Sequence, residues 1–325
     1  MQSGDLQFIA DVGGTNIRLA VVENKQIVRI EKYLCADFHS IDDAIKHFQR
    51  EVGIEYFYAG CIAIACPVDK DIVTMTNHSW SFSKSTLQKE LRLKKLFVIN
   101  DYTAIAFSLP HLSEQQLIKV GGGEPVEKGN IGVFGPGTGL GVEHITWTST
   151  GWKTLDGEGG HVDFAPIDEQ GVIVWRYLQN KYGRASAEDV LSGRGIVNIY
   201  SALSEQQGTK SLYTEPHQVT QVGVARNDDT AYQAVMFYCR AMGSFAGNMA
   251  LNLCTTGGVY IGGGITSKIT EFFLQSDFRK AFESKGNFAN YVKPIPTFLI
   301  NEPDHGLLGT LAYLQQHLER RVDNG

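Results

Sequence analysis

The residues best suited to chemistry lie in three glycine clusters and three polar turns. The first cluster is Ala10-Asp11-Val12-Gly13-Gly14-Thr15, where two glycines sit in a short turn after an apolar segment. No Cβ stands between such a backbone and a ligand. Successive N–H groups in a turn of this kind form a concave anion site, and Asp11 is placed to hold a magnesium ion through water. The plainer reading is a hairpin turn in which the Asp caps the local backbone. The second cluster, residues 135–141, alternates four glycines over seven positions as Gly-Pro-Gly-Thr-Gly-Leu-Gly. It is not G-x-G-x-x-G, because Val142 stands at the next position, and no P-loop occurs in the chain. It reads as a flexible turn or as a second phosphate loop, with Gly137, Thr138 and Gly139 at its tip. The third, Gly262-Gly263-Gly264, lets a flat base or a sugar come close, or serves only as a tight strand-to-helix turn.

Asn100-Asp101 ends an apolar strand, the position where open α/β sheets bind ligands. Asp101 is either a helix N-cap or a general base for a substrate hydroxyl. Glu158-Gly159-Gly160-His161 has the E-x-x-H spacing of some metal sites. Those sites need a helix to bring both side chains to one face, and two internal glycines oppose one. An acceptor beside a donor-acceptor suits vicinal hydroxyls better, and a solvated turn is the bland alternative. Ser186-Ala187-Glu188-Asp189 reads as a capping box from Ser186 to Asp189, leaving Glu188 free to face a ligand.

The elements that must position these residues follow from periodicity. Strands are expected at residues 6–10, 17–22, 27–34, 58–66 and 96–99, with a helix over 40–52. The pattern then recurs: strands at 130–134, 140–148 and 152–155, the first of them followed by a glycine turn that carries a threonine. This repeat of strand, glycine turn and two strands points to an ancient duplication. Helices are expected over 169–181, 187–203, 230–253, 269–275 and 309–320, with a strand at 259–261 running into the triple glycine. Mixed strands and helices in this order give an α/β protein with two sheet-based domains, which also suits a length of 325 residues.

Composition narrows the function classes. A net charge of −6 argues against nucleic acid as a partner. Five singly spaced cysteines, with no C-x-x-C pair, argue against a disulfide framework and a structural zinc. The N-terminal segment lacks the pattern of a signal peptide, no apolar run has the length of a membrane span, and RRVDNG is not a sorting tail. A reducing cytoplasm is the expected location.

Nine strings in order resemble the bacterial-type glucokinase family of the sugar kinase, actin and Hsp70 superfamily. They are ADVGGTN (10–16), CIAIACPV (61–68), MTNHSWSF (75–82), INDYTAIA (99–106), GTGLGV (137–142), EGGHVDFAP (158–166), SAEDVLSG (186–193), GNMALNL (247–253) and IGGGI (261–265). The resemblance implies two ribonuclease-H-like α/β domains around a cleft, the actin-like ATPase/sugar kinase fold. The small domain would comprise residues 1–110 plus 301–325, and the large domain residues 111–300. It further implies ATP-dependent phosphorylation of D-glucose at its 6-hydroxyl, the first step of glycolysis, with Mg2+ as the ion. Residues 10–15 and 137–139 would hold ATP phosphates, and Gly262, Gly263 and Gly264 would lie near the nucleotide. Asn100, Asp101, Glu158, His161 and Glu188 would line the glucose pocket, with Asp101 as base. A homodimer is implied, with no nucleic-acid or membrane partner.

Two positions depart from the family pattern: Pro136 inside the second loop, and Arg194 where proline is frequent. A related group of kinases and repressors carries a cysteine-rich zinc motif after the His; here residues 162–166 hold no cysteine. The rival readings are a kinase of another hexose or amino sugar, a sugar sensor without catalysis, and another phosphate enzyme of the superfamily. A sensor would need an N-terminal DNA-binding module, for which a first turn starting at residue 11 leaves no room.

Overall fold

The structure, a computed structural model, describes residues 6–75 and 78–319. Thr76 and Asn77 of the string 75–82, the first five residues and the chain end from Arg320 onward lie outside the described residues. The chain divides into two compact units. The first comprises Met1–Leu112, Thr148–Trp152 and Glu302–Gly325; the second comprises Ser113–Trp147 and Lys153–Asn301.

The first unit holds strands β1 (Gln7–Val12), β2 (Asn16–Glu23), β3 (Gln26–Leu34), β4 (Ala59–Ile64), β5 (Ile72–Thr74), β6 (Ser81–Ser83) and β7 (Lys95–Asn100). Five of them form a sheet in the order β3-β2-β1-β4-β7, and β5 pairs with β6 apart from it. β1 runs antiparallel to β2 and parallel to β4, and β7 lies parallel to β4. Side chains alternate along a strand, and β1 shows the consequence. Phe8, Ala10 and Val12 join a cluster with Ile41, Ala44, Ile45 and Phe48 of the helix Ile41–Val52. Ile9 joins one with Leu307 and Leu314 of the helix His305–Glu319. The sheet is thus covered on both faces, which is why β4 reads as a continuous apolar run.

The second unit holds β8 (Leu117–Gly121), β9 (Ile131–Pro136), β10 (Leu140–Thr148), β11 (Gly151–Thr154), β12 (Gly258–Ile261) and β13 (Thr297–Ile300). The sheet order is β11-β10-β9-β12-β13-β8. β9 is antiparallel to β10 and parallel to β12, as β1 is to β2 and β4. The long helix Asp229–Leu253 buries Ala234, Tyr238, Met242 and Ala246 in a cluster with Phe134, Val259 and Ile261 of the sheet. The strand order repeats between the units, as the recurring glycine turn in the sequence predicts.

Three expectations need correction. The second glycine turn is shorter than 135–139: β9 runs through Gly135 and Pro136, whose partners are Gly141 and Leu140. The helix expected over 187–203 is Gly193–Gln206. Ser186 and Asp189 do bond reciprocally, at 3.1 Å and 3.2 Å, but they close an isolated turn. Ser192 starts the helix, its Oγ accepting from Gly195 N at 3.1 Å. The strands β5, β6, β8 and β13 were not expected at all. Among the described residues no helix is long and apolar enough to cross a membrane.

Candidate active site

In the first unit, β1 ends at Val12 and β2 begins at Asn16, leaving residues 13–15 as the turn. Gly13 N donates to Asn16 O at 2.9 Å and closes it. Thr15 at its tip is exposed and Gly14 half-buried. A Cβ on Gly13 would come no nearer than 3.5 Å to its closest neighbour, Asn16 O, so the space beside it is open. Ala10 and Val12 point into the core, which leaves Asp11 as the polar side chain of this strand end. Its carboxylate meets Arg18 Nη1 at 3.2 Å across the β1–β2 ladder, where the two residues are partners. Arg18 also reaches Asp304 at 3.7 Å. Burial pushes the Asp11 pKa up, and Arg18 and His305 oppose that shift without cancelling it.

Asn100 and Asp101 divide the two roles left open by the sequence. Asn100, the last residue of β7, caps the helix Asp101–Ser108, its Oδ1 accepting from Tyr102 N at 2.9 Å. Its amide also donates to Cys66 O at 3.4 Å. The cap role is therefore taken by Asn100, and Asp101 occupies the first helical position. Burial raises the Asp101 pKa to about 6; nearby Asp11 adds to the rise, and hydrogen bonds from Tyr102 N and Asn100 oppose it. A carboxylate tuned this way is a better proton acceptor near neutral pH than an ordinary one, while remaining mostly ionised there.

In the second unit, the loop 137–139 joins β9 to β10, and Gly137 N donates to Gly139 O at 2.8 Å. Thr138 is exposed. Gly263 has φ of +90°, and a Cβ there would lie 2.3 Å from Pro136 O, so only glycine fits. This contact brings the triple glycine against the strand end that carries the loop. Gly262 N donates to Phe134 O at 2.9 Å, and Gly264 has open space where a Cβ would stand.

Glu158 precedes and His161 ends a single 3₁₀ turn, Gly159–His161, closed by His161 N donating to Glu158 O at 3.0 Å. The two glycines thus permit one tight turn but no α-helix. Both polar side chains are exposed. One oxygen of Glu188 is engaged in the fold: its Oε2 accepts from Leu140 N at 2.9 Å. A Cβ on Gly139 would stand 2.6 Å from the same oxygen, so that glycine makes room for the acid. Gly160 O accepts from Glu188 N at 2.9 Å and ties this turn to the one bearing Glu158 and His161. The structure therefore joins Glu158, His161, Glu188 and loop 137–139 within one unit, and Asp11, residues 13–15, Asn100 and Asp101 within the other.

Sequence reasoning missed Arg18 and the backbone N–H of Leu140. Counting across the β1–β2 hairpin would have put Arg18 opposite Asp11; the Leu140 bond had no signal. A cavity of about 490 Å³ lies in the second unit beside Gly137 and Thr138, with Lys181, Arg194, Asn198 and Ile265 in its wall. Among the described residues no group of three or more His, Cys, Asp or Glu side chains is gathered for a metal. Magnesium does not need one, since it binds through one or two carboxylates and the phosphates of its substrate. The desolvated Asp11 carboxylate fits such a role.

Residues 8–317 match the glucokinase family. A glucokinase of Photorhabdus laumondii is 45% identical over 313 residues, covering 96% of this chain and 97% of that protein. Among solved structures, a glucokinase from an Antarctic psychrotroph superposes with a TM-score of 0.90 at 30% identity, over 96% of this chain and 99% of that one. A ROK family glucokinase from Streptomyces griseus, solved in complex with glucose and AMPPNP, superposes with a TM-score of 0.61 at 19% identity, over 96% and 99% of the two chains. The last likeness shows the fold alone. Together these place the two α/β units in the actin-like ATPase and sugar kinase fold.

Proposed function

The chain belongs to the glucokinase family, and from that premise we propose that it transfers the γ-phosphoryl group of ATP to the 6-hydroxyl of D-glucose. The observation that carries this reading is the Asp101 carboxylate at the end of β7, spared from capping by Asn100 and raised to about 6. Phosphoryl transfer depends mainly on positioning and on charge stabilisation. Asp101 orients the 6-hydroxyl and takes its proton as the new O–P bond forms. Residues 10–15 and 137–139 supply N–H groups to the phosphates, and Gly262, Gly263 and Gly264 border the nucleotide.

Asn100, Glu158, His161 and Glu188 bind the other hydroxyls of the sugar. Polar groups that a bound sugar desolvates discriminate strongly, because an analogue lacking a hydroxyl leaves them unpaired. Asp11 would hold magnesium, and the ion would supply charge neutralisation at the phosphates. The division into a small domain, 1–110 plus 301–325, and a large one, 111–300, belongs to the same proposal. So do a homodimeric assembly and a cytoplasmic location, where the five free cysteines stay reduced.

The test is sugar-dependent ADP formation from MgATP with glucose, mannose, fructose, N-acetylglucosamine and no sugar, with the position of the new phosphate read by ³¹P and ¹³C NMR. Turnover mainly with glucose, at the 6-position, is expected. Turnover with a different sugar moves the substrate, and none with any sugar removes the kinase reading.

A further inference from the structure

Arg194 has no part in the reaction as described so far. It stands one residue inside the helix Gly193–Gln206, with its side chain 55% exposed. Its Nη2 lies 2.9 Å from Asp189 Oδ1 and 3.6 Å from Glu188 Oε1. The guanidinium also rests over the Tyr182 ring, 5.7 Å from its centroid.

The two acids it meets are differently employed. Asp189 Oδ2 closes the turn at 186–189 by accepting from Ser186 N and Oγ. Glu188 Oε2 accepts from Leu140 N. Oε1 of Glu188, the oxygen nearest Arg194, is the one left for a ligand. Adjacent carboxylates repel each other, and a glutamate has three side-chain torsions to fix. One backbone bond does not settle all of them, whereas a guanidinium hydrogen-bonded to Asp189 and 3.6 Å from Glu188 Oε1 attracts both acids and biases where the second oxygen lies.

We propose that Arg194 is a positioning residue for sugar binding: it holds the Glu188 carboxylate in the rotamer that presents Oε1 to a hydroxyl of the acceptor sugar. The proposal rests on Glu188 being a sugar ligand. Arg194 itself touches neither substrate. Its loss leaves Glu188 rotationally freer, so acceptor binding carries an added ordering cost.

The experiment compares wild type with Arg194→Gln, Arg194→Lys, Glu188→Gln and the Arg194→Gln/Glu188→Gln double variant, each checked for an unchanged unfolding temperature. Kinetics are read as kcat, KM for glucose and KM for MgATP. Arg194→Gln is expected to raise the glucose KM about two- to fivefold, the size of a partly exposed ion pair, with kcat and the MgATP KM held. Lysine restores the charge without the fork, so Arg194→Lys should recover part of the loss. Glu188→Gln should raise the glucose KM further, and adding Arg194→Gln to it should change nothing more. If Glu188→Gln raises the glucose KM and Arg194→Gln does not, or if the two effects simply add, the positioning role is wrong. If Arg194→Gln instead raises only the MgATP KM, the residue serves the donor and the proposal falls. If Glu188→Gln leaves the glucose KM unchanged, it is the assignment of Glu188 that fails, and the role of Arg194 goes with it.

Discussion

In the first hairpin, Gly13 N donates to Asn16 O at 2.9 Å; in the second, Gly137 N donates to Gly139 O at 2.8 Å. Each turn follows the third strand of its sheet, which is antiparallel to one neighbour and parallel to the other. One rung behind the turn, the resemblance ends. The first unit places Asp11 opposite Arg18, and the second places Gly135 opposite Gly141. The acid beside the first turn belongs to the hairpin itself. In the second it is Glu188, 48 positions along the chain from the Leu140 N–H it holds.

The same contrast appears two strands away. β7 runs into Asp101 and a helix, whereas β13 ends at Ile300 and the N–H of Asn301 returns to Gln116 O. Two copies of one scaffold have thus been given different charges at matching places. The first carries two acids, Asp11 and Asp101, at its strand ends, and the second keeps a backbone loop with Glu188 bonded to it.

That asymmetry breaks most severely at Asp101. Asp101→Asn should lower kcat on the order of 10²–10⁴-fold while leaving glucose binding, measured by calorimetry, largely intact. A comparable loss of binding would make the residue a ligand first and a base second. In the second unit the largest effect should be on folding. Gly263→Ala forces a Cβ against Pro136 O at a φ of +90° and should cost about 2–4 kcal/mol in urea denaturation. Gly264→Ala meets nothing within 4 Å and should stay within about 0.5 kcal/mol of wild type. Equal effects would mean that the two glycines are not distinguished as the geometry has it.

Asp101→Asn also has a stability signature. A folded pKa raised to about 6 means that the native state favours the protonated acid. The stability linked to that proton is present in full below the unfolded pKa and is lost as pH rises through about 6. The variant should therefore be more stable than wild type at pH 8, on the order of 1–3 kcal/mol, with the difference vanishing as pH falls below the unfolded value of 3.8. A smaller change is expected from Asp11→Asn. Removing that charge should lower the Asp101 pKa, followed by carboxyl NMR titration, because Asp11 contributes to the rise. No movement would uncouple the two acids.

Much of the first unit was legible because β1, β2 and β4 are apolar runs and a glycine turn divides the first two; the helix Ile41–Val52 had its Ser40 cap and periodic Ile41, Ala44, Ile45 and Phe48 in view. β8 and β13 were not legible. The Leu117–Gly121 strand is only partly buried and carries an exposed Lys119, and Thr297–Ile300 follows two prolines closely. The helix start at Gly193 was misread because Ser186 and Ser192 both offer a cap, and sequence does not say which turn continues. Of the site, residue types were readable and pairings were not. Asp101 could be named, but its release from capping depends on which of two adjacent residues sits at the strand end. Glu188 could be named, but its bond to Leu140 N depends on a contact across the fold.

The most direct measurement is the pH dependence of kcat/KM for glucose at saturating MgATP, in wild type and in Asp101→Asn. Ionised Asp101 is the active form, so wild-type activity should fall about tenfold per pH unit below a limb near 6, and the residual activity of the variant should lack that limb. A limb near 4 in wild type, or one near 6 that survives in the variant, would contradict the assignment of Asp101 as the tuned base.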